Sequence, residues 1–134
     1  MDKLAIILVS IGAALATYYI SIHMNKGAVF GSAIVTLVSG FIFPHFFPEQ
    51  GATLAVMATC ASYAGMVAVT KFPKISEMVA VGFIAGIVFI ATTTAYAGVG
   101  GKLGTIAAIS CLTWLGIKKL YAMTSAQEKE RAAE

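Results

Sequence analysis

Five apolar runs follow one another in this chain, and no Asp, Glu, Lys, Arg or His falls near the middle of any of them. That pattern limits the fold more than any motif does. About 20 apolar residues are needed to cross the hydrocarbon core of a bilayer. The runs cover about residues 4–22, 27–47, 51–70, 75–97 and 103–123. An open strand edge cannot be satisfied in lipid, so each run is read as a helix. The expected fold is an all-α integral membrane protein, a bundle of five transmembrane helices spanning residues 1–123. A short charged tail, 124–134, follows.

Composition agrees. Only 11% of the 134 residues are charged and 59% are hydrophobic. An ordinary soluble domain carries about 25% charged residues. A chain this short could not cover so much apolar surface in water. The breaks between runs have local causes. HMNKG supplies polar groups and a glycine. Pro44 and Pro48 lack a backbone donor and disfavour helix at the preceding residue. KFPK joins two charges to a proline, and GVGGK joins three glycines to a lysine.

The cations give an orientation. With the N-terminus outside, Lys3 and Lys102 lie outside. Lys26, Lys71, Lys74, Lys118, Lys119, Lys129 and Arg131 then lie inside. Cytoplasmic loops carry the excess of Lys and Arg, so the C-terminus is placed in the cytoplasm and the protein in the cell (inner) membrane as a multi-pass chain. In the tail, Ser125 and Glu128 form a capping-box pattern that either starts a short helix or extends the fifth span. No basic patch is left over, so nucleic acid is excluded as a partner. The lipid bilayer is the expected partner, together with further copies of the chain or other membrane subunits.

Small residues mark helix contacts, because helices in lipid associate by close packing. Gly27 and Gly31 form one GxxxG pair, Gly82 and Gly86 another, and Gly65 lies on a small face of the third run with Ala58 and Ser62. Intramolecular packing is the plain reading, and a homo-oligomer interface the functional one. A second pattern links runs three and five. At an offset of 51, TCASYAG (59–65) overlays SCLTWLG (110–116). A repeat of this kind relates two hairpins by an axis along the membrane normal.

The hydroxyls are the chemistry-bearing groups. ATTTAYAGVGGKLG (91–104) puts Thr92, Thr93 and Thr94 in succession, with Tyr96 one turn beyond Thr92. Hydroxyls in lipid either bond back to their own helix or face a polar cavity. The functional reading is a path lined by Thr92, Thr93, Thr94, Tyr96, Ser62 and Tyr63. His45 and Glu49, in the turn FPHFFPEQG, would form its outer mouth. That turn otherwise reads as an interfacial aromatic belt.

Enzymatic chemistry has little to rest on. There is no H-E-x-x-H, no G-x-S-x-G and no phosphate loop. Cys60 and Cys111 sit inside apolar runs without metal-ligand spacing. His23 and His45 lie at opposite ends of one run and cannot share an iron. No catalytic residue, metal or cofactor is assigned, and the chain is read as not an enzyme. The absence of a mid-span acid also disfavours carboxylate-coupled proton transport. The span count and the KFP turn between runs three and four resemble the five-span membrane domain of threonine/serine exporter-like proteins. The proline-glycine pair of that family's fourth span is missing, and no residue role is carried over. The expected function is a small transport protein, acting as a channel, uniporter or permease subunit for a small solute or ion. The alternative is a non-catalytic structural or anchor subunit of a larger membrane complex.

Overall fold

A computed structural model describes residues 3–24, 26–67, 71–95 and 101–131. It is all-helical. The described residues form α1 (Lys3–His23), α2 (Ala28–Phe46), α3 (Gly51–Gly65), α4 (Ile75–Ala91) and α5 (Lys102–Arg131). Three helical stretches, Lys3–His23, Ala28–Phe46 and Lys102–Glu128, are long and apolar enough to cross a membrane. Leu8, Val29, Leu37, Phe41, Leu112 and Leu120 are all exposed. Large outward apolar side chains in that number suit an apolar surrounding.

Helix α3 is the centre of the bundle. It packs on α1, α2, α4 and α5, whereas α2 and α5 flank it without touching each other. Its sequence explains the position. Nine of its 15 residues are buried, and most are small: Gly51, Ala58, Cys60, Ala61, Ser62, Ala64 and Gly65 among them. Helices α1 and α4 each bury one stripe. On α1 it is Ile6, Ser10, Ala13, Ala14, Thr17 and Tyr18. On α4 it is Glu77, Met78, Val81, Gly82, Ala85, Gly86 and Phe89. Both follow the i, i+4, i+8 rhythm of one helix face.

Where the glycines face a neighbour, the backbones approach closely. A Cβ added at Gly82 would lie 2.9 Å from Ile11 Cα, and one at Gly86 would lie 3.2 Å from Ile7 Cα. One at Gly31 would lie 2.9 Å from the Thr17 carbonyl oxygen. One at Gly65 would lie 2.7 Å from the Ala14 carbonyl oxygen. Gly27 is different. Nothing approaches it, and its φ of 91° with ψ of 159° is a conformation open to glycine alone. Its place is the start of α2, not a helix contact. The close approaches also let side chains bond to neighbouring backbone. Ser10 Oγ donates to the Gly82 carbonyl at 2.6 Å, and the Tyr18 hydroxyl donates to the Phe72 carbonyl.

Helix ends depart from the apolar runs for local reasons. Pro44 lies inside α2, which continues to Phe46. It falls in the last turn, so the single lost backbone bond is tolerated there. Helix α3 stops at Gly65, short of Thr70. Met66 N–H and Val67 N–H turn to the Tyr63 and Ala64 carbonyls in i→i+3 contacts, the tighter geometry of a closing turn. Residues 68–70 lie outside the described residues. Helix α4 ends at Ala91, where three β-branched threonines with competing hydroxyls follow. Helix α5 passes Met123 and continues to Arg131. After Thr124 and Ser125 the tail is built of Ala, Gln, Glu, Lys and Arg, which are good helix formers.

Candidate functional site

The threonine run caps the end of α4. Thr92 Oγ1 donates to the Val88 carbonyl at 2.7 Å, and Thr93 Oγ1 donates to the Phe89 carbonyl at 3.0 Å. Both hydroxyls are therefore turned back on their own helix. Thr94 is exposed, and Tyr96 lies outside the described residues. Lys102, from the first turn of α5, donates to the Thr92 and Thr93 carbonyls at 2.7 and 3.3 Å. A cation here meets the negative end of α4. Lys102→Met is expected to fray this helix end and cost about 1 kcal/mol, as for a lost helix-terminal partner. Faster amide exchange at Ala91–Ala95 would register it.

Ser62 belongs to a separate hydroxyl cluster. Its Oγ donates to the Thr59 carbonyl at 2.8 Å and lies 2.9 Å from Ser32 Oγ and 3.4 Å from Thr36 Oγ1. Ser32 and Ser62 are buried. The cluster joins α2 to α3. Ser62→Ala leaves Ser32 and Thr36 without their cross-helix partner. About 0.6 kcal/mol is the mean for such bonds between membrane helices, and a loss of that size in thermal unfolding is expected. Tyr63, the next residue, faces elsewhere. It lines an apolar groove of about 690 Å³ with Met66, Gly104, Ala108 and Leu112, between α3 and α5.

These hydroxyls do not share one level. Gly82 packs on Ile11 and Gly86 on Ile7, so each step along α4 matches one step back along α1. Thr92 is then level with the start of α1. Gly65 packs on Ala14 and Thr17, which places Ser62 near the middle of α1. The offset is roughly 12 residues, or about 18 Å at 1.5 Å per residue. His45, in the last turn of α2, and Glu49, in the α2–α3 turn, are both exposed. The His45 ring meets Phe46 edge-on at 5.5 Å, and Glu49 lines a shallow depression with Phe46, Phe47, Pro48 and Gln50. A further groove of about 340 Å³ runs between α1 and α2 and is lined almost wholly by apolar side chains, such as Val9, Ala16, Ile34, Val38 and Phe43.

The most polar contact lies at the other end of α4. Glu77, 7% exposed, is the one buried charged residue among those described. Its Oε1 pairs with Lys118 Nζ of α5 at 2.6 Å. Lys118 also reaches the Lys71 carbonyl at 3.5 Å. The carboxylate sits in the first turn of α4, where the helix end is positive. Helix α5 thus holds α4 at both ends, through Lys102 and through Lys118. The sequence marks Glu77 as a carboxylate at a helix start. It gives no sign of Lys118 as the partner, because the pairing depends on how α4 and α5 are staggered. Ser32 and Thr36 were equally hidden, since a serine in an apolar run shows nothing of what it faces.

No group of three His, Cys, Asp or Glu side chains placed to hold a metal ion occurs among the described residues. Cys60 is buried and Cys111 half-buried, both as free thiols. Cys60 Sγ donates to the Leu103 carbonyl at 3.3 Å, tying α3 to α5. No protein-family model, curated protein or solved structure matches this chain.

Proposed function

We propose that this chain is a multi-pass protein of the cell (inner) membrane and a non-catalytic structural or anchor subunit of a larger membrane assembly. All five helices cross the bilayer in this reading, with the N-terminus outside and the C-terminus cytoplasmic. Helices α3 and α4, 15 and 17 residues long, reach about 22 and 25 Å at 1.5 Å per residue. That is short of a hydrocarbon core of about 30 Å, but α3 is sheltered by its longer neighbours. The charged contacts support the orientation. Glu77, Lys118, Lys71 and Lys74 gather at one end of the bundle, and Lys102 with Thr92 stands at the other.

One observation carries the functional reading. The hydroxyls of Thr92, Thr93 and Ser62 are spent on helix carbonyls and on the α2–α3 contact, at different levels of the bundle, while Thr94 is exposed and Tyr63 lines the α3–α5 groove. The exposed apolar faces of α2 and α5 are what remains for partners. A transport role is the second reading. The Ser32–Thr36–Ser62 cluster favours it, as the one place among the described residues where several hydroxyls meet between helices. A path there would need a second subunit to complete it.

The two readings differ in liposomes. With the purified chain alone, ion and small-solute leakage should equal that of protein-free vesicles. The triple variant Thr92→Val, Thr93→Val, Thr94→Val should behave identically. Flux above background that the triple variant reduces would establish the transport reading instead.

A further inference from the structure

Helix α1 has 21 residues, or about 31 Å at 1.5 Å per residue, which matches a hydrocarbon core of about 30 Å. Its last residue, His23, therefore stands at one headgroup level when Lys3 stands at the other. An apolar groove of about 380 Å³ follows its last turns. That size is within the usual range of ligand sites, about 300–1,000 Å³. Leu15, Ala16, Tyr19 and Ile22 line the groove along α1, with His23 at its end and Ile75 of α4 at its side. From Leu15 to His23 the axis runs about 12 Å, most of the depth of one leaflet. Tyr19, Ile22 and Ile75 are all exposed, so the groove opens sideways to the surroundings rather than into the bundle.

Positive charge gathers at the headgroup end of this groove. Tyr18, which also lines it, donates its hydroxyl to the Phe72 carbonyl and so fixes the α3–α4 turn there. Lys71 and Lys74 stand beside Phe72 and Ile75 in the chain, and both are exposed. Lys74 is the N-cap of α4, and no side chain caps that helix start, where the helix dipole is positive. Glu77 does not cancel these charges, because it is buried and paired with Lys118 of α5. The α1–α2 and α3–α5 grooves are also apolar, but no Lys, Arg or His lines them. We propose that the groove and the turn beside it form a binding site for one anionic phospholipid. An acyl chain lies along Leu15, Ala16, Tyr19 and Ile22. The phosphate faces Lys74, with Lys71 and the start of α4 adding positive charge. A zwitterionic lipid fills the groove equally well but gains less from the lysines, because its own cation opposes them. Basic pockets between membrane helices select anionic headgroups in this way. The site requires α1 to cross the bilayer, as in the reading above, whether the chain anchors or transports.

Native mass spectrometry of the full chain, released from nanodiscs of equal parts phosphatidylglycerol and phosphatidylcholine with matched acyl chains, counts the lipid that stays bound. The wild type should keep one phosphatidylglycerol in preference to phosphatidylcholine. Lys74→Gln should lower that retention about fivefold, which corresponds to about 1 kcal/mol for one cation near a membrane surface. Lys119→Gln removes the same charge from α5, which does not touch α1, and should leave retention unchanged. Ala16→Phe puts a ring into the groove and should lower retention of both lipids. Equal loss in the two lysine variants would overturn the site, because the preference would then come from general surface charge. Equal retention of the two lipids by the wild type would overturn it too, as would an Ala16→Phe variant that binds like the wild type. Flotation with lipid vesicles checks the membrane reading separately: a chain that does not float loses that reading and the site with it, whereas one that floats without lipid preference loses the site alone.

Discussion

Gly65→Val is expected to push α1 away from α3 and to cost about 3 kcal/mol or more, the upper range for overpacking a filled contact. A Cβ at this position meets the Ala14 carbonyl oxygen at 2.7 Å and Thr17 Cβ at 2.8 Å. The first is backbone and the second is stiffly attached to it, so neither can turn aside. The whole of α1 must shift, and with it the Ser10–Gly82 and Tyr18–Phe72 bonds that fix α1 to its neighbours. Gly12→Ala is the matched control, since nothing lies within 4 Å of a Cβ there. Thermal unfolding in mild detergent should separate the two variants widely. Equal midpoints would mean that the α1–α3 contact does not hold the fold.

Lys118→Met should produce the second large effect. It leaves Glu77 buried opposite an apolar side chain, with its ion-pair partner gone. Breaking a fully buried pair costs about 3–5 kcal/mol. Here the Lys118 side chain is 43% exposed and that of Glu77 only 9%, so solvent screening reduces the loss to about 2 kcal/mol. The double variant Glu77→Gln, Lys118→Met removes the stranded charge and should recover part of that loss. If the double variant is less stable than Lys118→Met, the two residues are not coupled as the geometry states.

The helical class was legible because hydrophobic run length and charge placement are one-dimensional quantities. Packing was only partly so. A GxxxG spacing says that two small residues share a face, but not what stands opposite. Gly31, Gly82 and Gly86 meet helix backbone, while Gly27 meets nothing and serves the entry to α2. Hydrophobicity also blurs helix ends. Thr92 and Thr93 look apolar enough to continue α4, yet their hydroxyls and the Lys102 ammonium close it instead. The Glu77–Lys118 pair joins residues 41 positions apart, and only the stagger of two helices decides it. The hydroxyls of a supposed path could be counted in the sequence. Their levels could not, because level depends on the register set by glycine contacts.

Native mass spectrometry of the chain after gentle extraction from its source membrane tests the central claim most directly. The account predicts that the chain leaves the membrane in fixed stoichiometry with other membrane subunits. A homo-oligomer free of any other protein, active in liposome flux, would contradict it and make the chain a self-contained transporter.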